Sequence, residues 1–204
     1  MLFFLDLTFL LVPFVGTLGS FIMSSSKRTK PNILITGTPG VGKTATAILI
    51  ADSLDMKHIN TSEIIEQNKF YDGFDDELNS HILNEDKLLD ALELMIAEAN
   101  EEEEKGIVID YHACEIFPER WFDLVLVLRT RTDVLYDRLV QRGYNEKKRN
   151  QNMECEIMQV VLDEAKESYA KEVVHEVNSN TLQDMDESLA RVNDWVKQWV
   201  VDNT

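Results

Sequence analysis

The residues best suited to chemistry are Gly37-Thr38-Pro39-Gly40-Val41-Gly42-Lys43-Thr44, which fit G-x-x-x-x-G-K-[ST], the phosphate-binding P-loop. Ile33-Leu34-Ile35-Thr36 before them is a run of the size and character of a buried strand. Ala45-Thr46-Ala47-Ile48-Leu49-Ile50-Ala51 after them reads as a helix. Strand, glycine turn and helix together aim backbone N–H groups and a helix N-terminus at an anion. In that setting Lys43 neutralises the β- and γ-phosphates and Thr44 offers its hydroxyl to Mg²⁺. A chance glycine turn with a surface lysine would not bring this strand and helix with it. The spacing predicts a nucleoside triphosphate site.

Asp110 closes the second apolar run, Ile107-Val108-Ile109-Asp110. A carboxylate there holds Mg²⁺ directly or through water; its bland reading is a loop cap. His112 follows two residues later, where it can orient an attacking water or hydroxyl or accept a proton, although a loop histidine is more often structural. Arg138-Leu139-Val140-Gln141-Arg142-Gly143-Tyr144-Asn145-Glu146-Lys147-Lys148-Arg149 is the strongest basic cluster in the chain. It reads either as a helix C-terminus whose cations complement the dipole or as a lid whose Arg142 reaches the transferring phosphoryl group. The local reversal of sign favours the lid. Arg120, in Phe117-Pro118-Glu119-Arg120-Trp121, is a candidate clamp for an acceptor phosphate, or merely part of an aromatic packing segment.

These residues must be carried by alternating strands and helices. Strands are expected at 33–36, 58–60, 107–110, 123–128 and 173–177, and helices at 43–54, 85–99, 132–140 and 152–170. A C-terminal helix is marked by Met185, Leu189, Val192, Val196 and Trp199, and the helix of 152–170 by Ile157, Val161, Ala165 and Tyr169. The stretch 61–84 is polar, and Glu101 to Glu104 read as a solvated loop. Such alternation means an α/β fold with a parallel sheet flanked by helices. Leu2 to Met23 is apolar with Asp6 as its one charge, just long enough for an anchor. No Lys or Arg precedes it as a secretory signal would require. We expect residues 1–30 to lie outside the fold, with Met23 as the working start, and 31–204 to form one domain without a membrane-spanning part.

The 204 residues carry 20 Lys and Arg against 37 Asp and Glu, a net charge of −17. Most of such a surface repels nucleic acid, so no direct sequence-specific nucleic-acid binding is expected and phosphate binding must be local. The charge suits a basic protein partner. Cys114 and Cys155, far apart and without C-x-x-C, exclude a disulfide scaffold or a zinc cluster. A GTPase is disfavoured, because Asp110-Tyr111-His112-Ala113 lacks the glycine of D-x-x-G and Asn68-Lys69-Phe70-Tyr71 lacks the aspartate of a guanine reader. Small kinases of nucleotides or metabolites fit the length.

The P-loop, Tyr71-Asp72-Gly73-Phe74, Asp110-Tyr111-His112, Phe117-Pro118-Glu119-Arg120-Trp121 and Arg142-Gly143-Tyr144-Asn145-Glu146-Lys147-Lys148 occur in this order. Together they resemble the adenylate kinase isoenzyme 6 family, also called coilin-interacting nuclear ATPases, from about Pro31 to the C-terminal helix. The resemblance implies a P-loop NTPase fold like that of nucleoside monophosphate kinases, with a short lid at about 141–151 and a monophosphate-binding segment at about 60–83 that includes Asn60. It implies ATP:AMP phosphotransfer with ATP hydrolysis, in the nucleus and cytoplasm. A role in small ribosomal subunit maturation, through a basic small-subunit ribosomal protein, is implied as well. By position, Gly40, Gly42, Lys43, Thr44 and Ala45 would line the ATP phosphates and Arg142 would meet the nucleotide from the lid. The chain departs from the family pattern at Ala45, where a second threonine is usual, at Glu66, where an arginine is expected, and at Thr181, where a lysine often stands. A shikimate-like metabolite kinase is the weakest reading, because Asp-Tyr-His and Tyr-Asp-Gly-Phe argue against it.

Overall fold

The structure, a computed structural model, describes residues 28–75, 80–102 and 105–203. The apolar stretch Leu2 to Met23 lies outside these residues, and with it the expectation of a start at Met23. In chain order the elements are β1 (Asn32–Thr36), α1 (Lys43–Leu54), β2 (Lys57–Asn60), α2 (Thr61–Asn68), β3 (Tyr71–Asp75), β4 (Ser80–Leu83), α3 (Glu85–Ala97) and β5 (Ile107–Asp110). There follow β6 (Leu124–Arg129), α4 (Thr132–Gln141), α5 (Glu146–Ile157), α6 (Val160–Ser168), β7 (Val174–Asn178) and α7 (Leu182–Asn203).

Five strands form a parallel sheet in the order β2-β5-β1-β6-β7. The centre is apolar on both faces, as parallel sheets covered by helices require. Ile33 and Ile35 pack with Ala47, Ile50, Leu135, Leu139, Val192 and Val196, under α1, α4 and α7. Leu34, pointing the other way, packs with Leu88, Leu92, Val161, Leu162 and Ala165, under α3 and α6. The chain leaves β1 to β2 and β5 on one side and to β6 and β7 on the other. The carboxyl end of β1 is thus the switch point at which open α/β sheets bind ligands. Register brings Ile35 of β1 and Asn60 of β2 level with Asp110 of β5.

The polar stretch 61–84, to which the sequence assigned no elements, holds a helix and an antiparallel hairpin, α2 and β3–β4, and two expectations are corrected. Asn60 caps α2 by accepting from the Glu63 N–H at 3.1 Å. On the hairpin, Tyr71 stacks on His81 with centroids 4.1 Å apart. Glu101 and Glu102 belong to a π-helical turn, Glu98–Glu102, that extends α3, and the rest of the acidic run lies outside the described residues. The single helix expected at 152–170 is two, because Gln159 adopts φ 61° and turns the chain between α5 and α6. Val161, Ala165 and Tyr169 therefore meet the core while Ile157, across the break, is 59% exposed.

Tyr169 Oη donates to the Cys114 carbonyl at 2.7 Å, in the core beneath α6. Burial, followed by Glu115, pushes the Cys114 thiol up to about 12. Burial also pushes the Tyr169 phenol up. For a folded pKa raised above the unfolded one, the stability is fully present below the unfolded value and lost as pH rises toward the folded one. Unfolding free energy measured in urea should therefore fall above about pH 9, by up to about 1.4 kcal/mol per pH unit for each group. The fall should be shallower in the Cys114→Ala, Tyr169→Phe double variant. Equal slopes for the two proteins between pH 9 and 11 would contradict this account.

Candidate functional site

The P-loop leaves β1 and rests on β6 and α4. Gly37 has φ 139°, and a Cβ there would lie 2.6 Å from the Leu128 carbonyl oxygen. Gly40 has φ 103°, and its Cβ would meet the Leu135 and Leu139 side chains at 2.9 Å. A side chain at either position would lift the loop off its bed.

Lys43 opens α1, and its Nζ donates to the carbonyls of Gly37 at 2.8 Å and Thr38 at 3.2 Å. Burial pulls its pKa down to about 8, against a pull upward from Asp110 and a push downward from Arg142. The group remains mostly charged at neutral pH, with a third N–H to give to a phosphate. Beside it Thr44 Oγ1 donates to Asp110 Oδ2 at 2.6 Å. The other Asp110 oxygen lies 2.8 Å from His58 Nε2, and the carboxylate is only 3% exposed. A buried carboxylate needs such partners.

A hydroxyl and a carboxylate are the hard oxygen donors that Mg²⁺ takes from a protein when phosphates and waters complete its shell. Among the described residues no group of three or more His, Cys, Asp or Glu could hold a metal by itself. Thr44 and Asp110 therefore fit a cation shared with a nucleotide. His112 lies just beyond, its ring 4.4 Å from that of Tyr111. Although the residue is exposed, desolvation by neighbouring atoms, then the charges of Lys43 and Lys148, push its pKa down to about 4. At neutral pH it is an uncharged imidazole able to accept a hydrogen bond.

A cavity of about 460 Å³ opens beside the loop, with Gly40, Gly42, Ala45, Arg138, Arg142 and Ser179 among its walls. This is within the range that holds a nucleotide-sized ligand. Arg138 joins its two sides: Nη1 donates to Val41 O at 3.1 Å and Ser179 O at 2.8 Å, and Nη2 to Asn180 O at 3.1 Å. Ser179 Oγ donates to the same Val41 oxygen at 2.6 Å. The stretch 141–151 covers the turn between two helices and the first half of the second. Gln141 ends α4, Arg142 to Asn145 connect, and α5 begins at Glu146, capped by Asn145 accepting from the Lys148 N–H at 2.8 Å.

Gly40, Gly42, Ala45 and Arg142 thus line the cavity, while Thr44 is paired with Asp110 and Lys43 lies close enough to feel Asp110 and Arg142 and to act on His112. Asn60 stands beside Asp110 at the end of β2, with its side-chain oxygen engaged as a helix cap. Arg120 is not brought there. Its short 3₁₀ turn abuts the start of β1, where Asn32 Nδ2 donates to Trp121 O at 3.0 Å, and its guanidinium pairs with Glu93 of α3 at 3.0 Å. The length of β1 separates it from the P-loop, and Arg120 stands here in a surface ion pair and not beside Lys43. Sequence reasoning missed His58 and the cavity role of Arg138. His58 carried a weak signal, since it shares a strand face with Asn60 by the two-residue period. Arg138 opens the basic cluster, but its partners are carbonyls far along the chain, which no local pattern shows.

Arg138→Ala would leave three carbonyls without their shared donor and free the 179–180 loop. Affinity for an ATP analogue, measured by fluorescence titration, should drop about ten-fold, roughly 1.4 kcal/mol. An unchanged affinity would show that the cavity walls hold without it.

The chain is similar to several known proteins. A family model described as an AAA domain matches residues 33–159. The adenylate kinase isoenzyme 6 homolog of Dictyostelium discoideum is 48% identical over 177 residues, covering 87% of this chain and 98% of that protein. The homolog of Saccharomyces cerevisiae, FAP7, is 41% identical over 176 residues, 86% of each chain. Among solved structures, a gluconokinase from Sinorhizobium meliloti 1021 superposes with a TM-score of 0.54 at 16% identity, covering 87% of this chain and 99% of its own. A shikimate kinase from Bacteroides thetaiotaomicron does so with 0.52 at 17% identity, covering 82% and 98%. At such identities the two structures speak for the P-loop kinase fold alone.

Proposed function

This chain belongs to the adenylate kinase isoenzyme 6 family and is a P-loop nucleotide kinase, and from that premise we propose that it transfers the γ-phosphoryl group of Mg-ATP to AMP and hydrolyses ATP when no acceptor is bound. The observation that carries the reading is the grouping of Lys43 with the Thr44–Asp110 pair, within electrostatic reach of Arg142, which lines a cavity of nucleotide size. Phosphoryl transfer needs little covalent chemistry from a protein beyond in-line positioning and neutralisation of spreading charge. Lys43 and the P-loop N–H groups hold the donor phosphates, and Arg142 approaches from the helix turn. When bound, Mg²⁺ would supply neutralisation of charge on the phosphate oxygens, with Thr44 and Asp110 as its protein ligands. The monophosphate belongs to the segment from Asn60 through the β3–β4 hairpin. His112, uncharged at neutral pH, accepts a hydrogen bond from the water that attacks when no acceptor is bound, whereas in transfer the nucleophile is a phosphate oxygen of AMP.

Only Arg142 to Asn145 separate the two helices over the site. So short a lid excludes water incompletely, which favours hydrolysis beside transfer. A second reading, compatible with the first, is an assembly factor in the nucleus and cytoplasm. In it ATP hydrolysis switches affinity for a basic small-subunit ribosomal protein during small ribosomal subunit maturation. The net charge of −17 favours such a partner.

ADP formation from Mg-ATP, followed with and without AMP, separates the activities. We expect AMP to raise the rate many-fold with two ADP formed per ATP consumed, and a slower AMP-independent release of phosphate. Lys43→Ala should lower kcat/KM for ATP at least 100-fold, about 2.7 kcal/mol. A rate indifferent to AMP would set phosphotransfer aside and leave the ATPase.

A further inference from the structure

Glu156, near the foot of α5, is 4% exposed and belongs to none of the groups assigned so far. A buried carboxylate persists only when its lone pairs are satisfied, and here they are satisfied by two separate parts of the fold. Oε1 accepts from Arg129 Nε at 2.7 Å and from the Thr130 N–H at 3.0 Å, where β6 passes into α4. Oε2 accepts from Thr38 Oγ1 at 2.6 Å, inside the P-loop. The Glu156 carbonyl accepts from Arg129 Nη2 at 2.9 Å. Thr38 itself is 1% exposed, and its carbonyl and that of Gly37 are the ones on which Lys43 rests. A continuous path therefore runs from Arg129 through Glu156 and Thr38 to the Lys43 ammonium. Three residues beyond Glu156 the chain reverses at Gln159, φ 61°, while the other end of α5 follows directly from the turn that carries Arg142.

We propose that Glu156 is a positioning residue for the ATP phosphates: through Thr38 it holds the first half of the P-loop, and hence Lys43, at a fixed height over β6, and it anchors at the same point the helix that descends from the Arg142 turn. The proposal rests on the reading of this site as an ATP site and deepens it. Its signature is energetic coupling between Thr38 and Glu156, confined to the ATP side of the reaction. A carboxylate serving only to neutralise Arg129 would show no such coupling.

The test compares wild type, Thr38→Val, Glu156→Gln and the double variant. Thr38→Val removes one hydroxyl at constant shape and leaves the Arg129 pair intact, so it remains informative even if Glu156→Gln folds poorly. Binding of a fluorescent ATP analogue with Mg²⁺ and the KM for AMP are measured on each. Each single variant should weaken the analogue about ten-fold and the double by no more than two- to three-fold beyond the weaker single, because both remove one interaction. The KM for AMP should stay within two-fold. Thr38→Val binding the analogue like wild type would overturn the proposal, as would a double variant about 100-fold weakened or a KM for AMP that moves as far as ATP affinity. If the wild type binds the analogue yet transfers nothing to AMP, the phosphotransferase reading fails while the binding comparison still decides the role of Glu156.

Discussion

The site depends on one buried carboxylate. Asp110 lies at the carboxyl end of β5, level with the ends of β1 and β2, and its two oxygens are shared between Thr44 of α1 and His58 of β2. Parallel register makes this possible, because it brings residues far apart in the chain to the same height at the switch point of the sheet. Both hydrogen bonds satisfy a group that would otherwise be costly to bury. They also tie the first turn of α1 to two neighbouring strands, so the residue that follows Lys43 cannot drift from the carboxylate. Lys43, Arg142 and His112 are arranged about that fixed pair.

Much of this arrangement is legible in the amino-acid sequence. The P-loop, the strand ending at Asp110 and the helical spacing of Leu88, Leu92 and Ile96 are local signals, and each lies where the pattern places it. What escapes the pattern is non-local or breaks a period. Gln159 interrupts a stripe that Ile157, Val161 and Ala165 otherwise continue, and nothing in a glutamine announces a left-handed backbone. The β3–β4 hairpin is hidden in a polar stretch because its strands are short and neither alternates cleanly in hydrophobicity. Arg120 resembles a phosphate ligand by type alone, and the return of the chain to the start of β1 carries it to the far end of the sheet. His58 and Glu156 are polar residues whose meaning lies wholly in partners 52 and 118 positions away.

The electrostatics follow the same division between global and local. A chain of net charge −17 sets Arg138 and Arg142 in the walls of one cavity, where Arg142 acts on Arg138 and on Lys43, and Lys43 and Lys148 act on His112. Composition decides what the outer surface attracts, and topology decides where an anion can enter. Cations grouped in this way in an acidic protein create a local field that favours phosphate without making the whole molecule a polyanion binder.

The central claim, that the Thr44–Asp110 pair is the protein's share of the cation site of a bound nucleotide, is tested most directly by Mn²⁺ in place of Mg²⁺. Paramagnetic resonance would follow the binding of Mn²⁺ to the protein loaded with a non-hydrolysable ATP analogue, in wild type and in Asp110→Asn. The account predicts one tight Mn²⁺ per protein, weakened at least ten-fold by the substitution, roughly 1.4 kcal/mol or more, with the analogue still bound. Equal Mn²⁺ affinity in the two proteins would contradict it and leave Asp110 as a purely structural carboxylate.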